Sequence, residues 1–198
     1  MIIKNWKKEI LTIPNLLSFF RLILIPVYMT IYLKAIEPRD YLIAGIILAL
    51  SCLTDMVDGK IARKFNMITT FGKFLDPLAD KLTQFALLLC LAVEHPILWG
   101  LFCLFVLKEL FQLIAGIIRA KQGYILKGAL YSGKVCTTVL FISLVTMVIF
   151  PYLPDSVINI IALIDGIFLI IAFADYLITY LTNNSRFQPL DDAPSAGY

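Results

Sequence analysis

Histidine is nearly absent from this 198-residue chain: His95 is the single one, in a short turn expected on the outer side, so the inner face has no imidazole for metal binding or acid–base work. Cysteine is scarce too. Cys52, Cys90, Cys103 and Cys136 all fall in apolar stretches without a C-x-x-C pair, and so read as small buried hydrophobes. There is no internal repeat and no second soluble domain. Positive charge is missing from one side: if the N-terminus is inside, the outer loops hold only Lys34 and Arg39, while most other lysines and arginines fall on inner segments. Alternating apolar segments of the kind a membrane β-barrel needs are also absent.

What is abundant is hydrocarbon. Sixty per cent of the residues are hydrophobic and the mean hydropathy is +0.87, above the roughly 50% of an ordinary soluble domain. An apolar helix of about 20 residues crosses the hydrocarbon core, and backbone groups there must pair within the segment. The runs predict an all-α integral membrane protein with six transmembrane helices, at 14–34, 41–63, 72–93, 97–119, 129–150 and 156–181. Pro38, Pro96, Pro151 and Pro154 lie in or beside the breaks. Trp6 among Lys4, Lys7 and Lys8 marks a short amphipathic helix lying in the interface ahead of the first span. Arg21 and Pro26 interrupt the first apolar run and no small-residue cleavage site follows, against a cleaved signal peptide. Residues 1–182 form the membrane domain and 183–198 a polar, mobile tail. The lysine and arginine asymmetry places both termini and the 60–81 region on the cytoplasmic side of a plasma membrane. The net charge of +3 and the basic inner face suit anionic lipid headgroups rather than nucleic acid.

Against this background four carboxylates stand out. Asp55 and Asp58 lie at the inner end of the second expected span, and Asp76 and Asp80 at that of the third. An aspartate deep in a membrane helix costs about 2.5–3.5 kcal/mol, and four together repel one another; a divalent cation relieves both costs. On a helix Asp55 and Asp58 are separated by about 60° and Asp76 and Asp80 by about 40°, with Gly72 one further step of four back on the second face. Antiparallel neighbours joined by a short turn could bring all four together, and hard oxygen donors suit Mg²⁺ or Mn²⁺. Gly59 and Ala62 leave a groove on the same face, and Arg63 offers a fork of donors for a diphosphate. A helix-packing seam with a snorkelling arginine is the plainer reading of those three.

The whole pattern is Asp55-x-x-Asp58-Gly59-x-x-Ala62-Arg63, eight residues, then Gly72-x-x-x-Asp76-x-x-x-Asp80. It resembles the signature of the CDP-alcohol phosphotransferase (phosphatidyltransferase) family at all eight fixed positions. The stretch Pro14-Asn15-Leu16-Leu17-Ser18-Phe19-Phe20-Arg21 also looks like that family's P-N-x-[TS] entry to the first span, although Asn15 and Ser18 equally suit a helix start after Pro14. The resemblance implies two metal ions, Mg²⁺ or Mn²⁺, held by Asp55, Asp58, Asp76 and Asp80, with Asp80 as catalytic base. It further implies a CDP-diacylglycerol site at Asn15, Asp55, Gly59, Ala62, Arg63 and Gly72, and a homodimer.

For the acceptor, Gly133-Lys134 and Thr137 resemble the G-K-x-x-T of phosphatidylglycerophosphate synthases, in which the equivalents of Lys108 and Lys134 meet the acceptor phosphate. The departures are Lys108 where an arginine is usual and Gly116 at an expected arginine, with Arg119 as a substitute three residues on. Lys108 with Glu109 equally reads as a buried ion pair, and Lys134 as an interfacial anchor. Glycerol 3-phosphate is the favoured acceptor, with Lys108, Arg119 and Lys134 around it. A cardiolipin synthase using phosphatidylglycerol is the alternative, and a small divalent-cation carrier a remote one.

Overall fold

The computed structural model describes residues 12–64, 69–126, 128, 130–182 and 186–189, and for 55–64, 70, 73 and 74 the backbone only. The expected interfacial helix at 1–11 lies outside these residues. Six helices occur among them: α1 (Ile13–Leu33), α2 (Pro38–Lys64), α3 (Thr70–Glu94), α4 (Leu98–Lys121), α5 (Tyr131–Ile149) and α6 (Asp155–Leu181). Two short strands, β1 (Tyr124–Leu126) and β2 (Phe187–Pro189), complete the set.

Four of the helices, α1, α4, α5 and α6, are long and apolar enough to cross a membrane, the make-up of an integral membrane helical protein. The expected second and third spans form helices of 27 and 25 residues. Their apolar stretches are cut short by Asp55, Asp58, Lys60, Arg63 and Lys64 in α2 and by Lys73, Asp76, Asp80 and Lys81 in α3. The large side chains exposed on the other four, such as Ile23, Leu107, Leu113, Ile142, Leu163 and Ile170, are the surface that lipid would cover.

Helix boundaries follow local chemistry. Asp40 accepts hydrogen bonds from the backbone N–H groups of Ile36 (3.0 Å) and Glu37 (3.1 Å) at the start of α2. Those two bonds hold its carboxyl below the ordinary range. Gly123, at φ +83°, ends α4 in the left-handed region that favours glycine, and β1 follows at once.

The chain divides into two compact units, Met1–Cys90 with Val148–Pro151, and Leu91–Met147 with Tyr152–Tyr198. In the first, α1 packs on α2, with Tyr28, Tyr32, Ala44, Leu48, Leu75, Ala79 and Leu87 buried. Tyr32 meets Tyr28 at a tilt and Tyr41 edge-on, each at 5.5 Å. In the second, α4 packs on α6 through Phe111 and Phe173 (5.4 Å). The Ser143 hydroxyl donates to the buried Asp165 carboxylate at 3.0 Å, a polar tie between α5 and α6. Antiparallel pairing of Tyr124 with Pro189, Ile125 with Gln188 and Leu126 with Phe187 joins β1 to β2. Residues 186–189 are therefore a paired strap and not part of a mobile tail: the strand that receives them is many residues away in sequence.

Candidate active site

α1 and α3 run side by side in the same direction, and a row of polar residues on α1 faces the second half of the carboxylate motif on α3. The row is Asn15, Ser18 and Arg21, three residues apart and thus on one helical face. All three are almost wholly buried, at 1%, 0% and 2% exposure. Opposite them, four residues apart, stand Gly72, Asp76 and Asp80.

Each rung has its own chemistry. At the first, Thr69 precedes α3, and its hydroxyl oxygen accepts from the Gly72 N–H (2.9 Å), an N-terminal cap. The Asn15 amide donates to that same oxygen at 3.1 Å. A Cβ added to Gly72 would lie 2.5 Å from Asn15 Oδ1, so only glycine lets α1 come this close. At the second rung the Ser18 hydroxyl is 2.6 Å from Asp76 Oδ1 and 3.1 Å from the Pro14 carbonyl; the shorter, charged acceptor takes its single proton. At the third, Arg21 Nη1 donates to Asp80 Oδ1 at 2.7 Å. Arg21 lies inside while the Asp80 side chain is 53% exposed. The buried cation thus stands behind a carboxylate that is half exposed.

Sequence reasoning had Ser18 and Arg21 only within the stretch before the first span and assigned neither to the motif carboxylates. The spacing Asn15, Ser18, Arg21 in an otherwise apolar run was the available signal. Asp55, Asp58, Gly59, Ala62 and Arg63 lie on α2, which is helical to Lys64, so the spacing expected of them holds; their side chains are outside the described residues, and so is their meeting with Asp76 and Asp80. Among the described residues no group of three or more potential metal ligands occurs. The two motif carboxylates that are described are oxygen donors held by a hydroxyl and a guanidinium, which fits Mg²⁺ or Mn²⁺ and not a thiolate metal.

In the second unit, Lys108 is buried at 1% exposure, bonded to Glu109 Oε1 at 2.6 Å and placed over the Tyr176 ring at 5.7 Å. This is the buried ion pair that the sequence left open. Arg119 donates to the Tyr180 carbonyl and lies over the Phe187 ring at 5.0 Å; those contacts tie it to α6 and β2. Gly116, where an arginine was expected, has the Tyr180 hydroxyl 3.6 Å from the position of an added Cβ. Lys134, in the first turn of α5, is exposed and its ammonium has no partner among the described residues. Of the three cations expected around an acceptor, Lys134 is the one whose charged group has no contact to give up among the described residues.

Together, the apolar helices and the motif aspartates held by buried polar side chains define a helical membrane protein with a carboxylate-centred polar site. The chain is a member of the CDP-alcohol phosphatidyltransferase family, whose sequence model matches residues 11–178. The family is in general dependent on divalent metal. Membership of that family speaks against the cation-carrier alternative.

Among curated relatives, the CDP-diacylglycerol–glycerol-3-phosphate 3-phosphatidyltransferase of Pseudomonas fluorescens is 38% identical over 89 residues, 45% of this chain and 45% of that protein. The enzyme of the same name from Bacillus subtilis is 41% identical over 90 residues, 40% of this chain and 47% of that one. A cardiolipin synthase (CMP-forming) from Streptomyces coelicolor is 34% identical over 132 residues, 65% and 61% of the two chains. The chain thus spans about half the length of the phosphatidyltransferases it matches.

Proposed function

We propose that this protein transfers the phosphatidyl group of CDP-diacylglycerol to glycerol 3-phosphate, giving phosphatidylglycerophosphate and CMP. The observation that carries the reading is the bracing of Asp76 by Ser18 and of Asp80 by Arg21 within the complete eight-position motif. In the reaction the acceptor hydroxyl forms a bond to the phosphorus bearing the lipid, the bond from that phosphorus to the CMP oxygen breaks, and CMP leaves. Asp80, held in one orientation by Arg21, would accept the hydroxyl proton. Arg63 and the backbone at Gly59 would hold the diphosphate, with Asn15, Asp55, Ala62 and Gly72 shaping that pocket. Asp55, Asp58, Asp76 and Asp80 would hold two Mg²⁺ or Mn²⁺ ions, which supply charge neutralisation for the diphosphate. CMP release by the purified protein, given CDP-diacylglycerol, Mn²⁺ or Mg²⁺ and a panel of acceptors, tests this directly. No release with any acceptor would sink it.

A second reading is favoured by one observation. The cardiolipin synthase relative matches a longer stretch of this chain, 132 residues, than the two glycerol-3-phosphate enzymes do. Phosphatidylglycerol would then be the acceptor, and consumption of that lipid with indifference to glycerol 3-phosphate would decide for it.

Lys134 separates acceptor recognition from donor recognition. Lys134→Ala should raise the KM for glycerol 3-phosphate far more than that for CDP-diacylglycerol, by about 1.5–3 kcal/mol, the range for a hydrogen bond to a charged group. If Lys134 is only an interfacial anchor, both KM values stay where they are.

The whole protein would cross a bacterial-type plasma membrane six times behind an interfacial helix, as a homodimer, with the motif and both termini cytoplasmic. Single cysteine labels replacing Asn66 or Asn183 should react only from the cytoplasmic side, and one replacing Glu94 only from outside. External labelling at position 66 would invert the topology.

A further inference from the structure

The strap formed by β2 is fastened at more points than a three-residue pairing needs to register, and the fastenings converge on one carboxylate. A two-stranded ribbon is marginal alone. Here Arg186, immediately before β2, donates to Asp175 Oδ1 at 3.1 Å and to the Thr179 hydroxyl at 3.3 Å. Phe187 lies between the Arg119 guanidinium (5.0 Å) and the Tyr180 ring (5.3 Å). The other oxygen of Asp175 accepts from the Ser132 hydroxyl at 2.5 Å. The next residue, Tyr176, packs so tightly on Gly133 that an added Cβ would meet its ring and hydroxyl at 2.8 Å. Two successive residues of α6 thus grip two successive residues of α5, and the residue that follows is Lys134.

We infer that Asp175, clamped by Arg186 of the C-terminal strap, is a positioning residue for the anionic acceptor: it sets the rotation and height of the first turn of α5 and so aims the Lys134 ammonium. This deepens the proposed function and rests on it. Arg119 is committed to Tyr180 and Phe187, and Lys108 to Glu109 and Tyr176, so of the three cations expected around the acceptor Lys134 is the one left to be aimed. Neither Asp175 nor Arg186 need touch a substrate for this.

The test uses the full-length protein and whichever acceptor the wild type consumes. Arg186→Ala and Asp175→Asn should each raise the acceptor KM roughly tenfold, while kcat and the KM for CDP-diacylglycerol stay within about twofold. Arg186→Lys should recover part of the loss. Added to Lys134→Ala, Arg186→Ala should cost nothing further, because the residue it aims is gone. A purely structural strap would instead change both KM values alike, or add its effect in full to that of Lys134→Ala; either result overturns the inference while leaving the proposed function standing. Wild-type protein that releases no CMP with any acceptor overturns both.

Discussion

Asp76→Ala should lower CMP release by about 10²–10³-fold or more, and Asp55→Ala, Asp58→Ala and Asp80→Ala should do the same. That is the scale on which removing one element of transition-state charge stabilisation acts. The expectation follows from the density of charge. CDP-diacylglycerol, the proposed donor, would bring a diphosphate to a site rich in carboxylates, so the two could share a pocket only with cations between them, and each aspartate lost would weaken that arrangement. Asp76 gives the cleanest reading, because the Ser18 hydroxyl that donates to it has the Pro14 carbonyl 3.1 Å away as an alternative acceptor. Asp76→Ala therefore leaves no buried donor stranded, and its loss of activity reports on the site and not on folding. Rates should be measured at saturating and at limiting metal. Two of the four variants retaining near-normal turnover at limiting metal would refute a two-ion site.

Asp80→Ala should behave differently from Asp76→Ala in one respect: it should also destabilise the protein. Arg21 is 2% exposed and its guanidinium is paired with Asp80 at 2.7 Å. Removing one partner of a buried ion pair costs roughly 3–5 kcal/mol, because the remaining charge stays inside. Asp80 is itself half in solvent and Arg21 has other interactions besides this one, so the cost should fall below that range, at about 1–2 kcal/mol. Arg21→Met keeps the volume and leaves Asp80 hydrated; stability should fall little while activity falls with the loss of a fixed orientation for the carboxylate. Combining Arg21→Met with Asp80→Ala should restore stability toward that of the wild type, since no charge is then left buried. Thermal inactivation of detergent-solubilised protein, followed as loss of monodisperse material, measures all three. Equal stability of Asp80→Ala and Asp76→Ala would show that Arg21 does not depend on Asp80.

How much was legible beforehand differs between elements for physical reasons. Helices α1, α4, α5 and α6 end within a few residues of the expected spans because apolar length and proline placement act locally. The expected second and third spans are helices as well, but the charges that make them functional also shorten their apolar stretches. The sequence did not announce β1 and β2: three-residue strands carry no periodicity, and what makes them strands is each other.

By itself the sequence determined the chemistry available and its local spacing. Asp55 and Asp58 share one helical face and Asp76 and Asp80 another, because 3.6 residues make a turn and nothing beyond that turn is needed to know it. The same chain of local rules yields a helical membrane protein and the family motif. Only the tertiary structure decided that Ser18 answers Asp76 across 58 residues and that Arg21 answers Asp80 across 59. It likewise decided that Arg119 holds the C-terminal strap and that Asp175 joins Ser132 to Arg186. Those pairings depend on how one helix is rotated and staggered against another. That is set by the fit of whole apolar faces, with glycines at Gly72 and Gly133 permitting the close approach, and no spacing within a single helix encodes it.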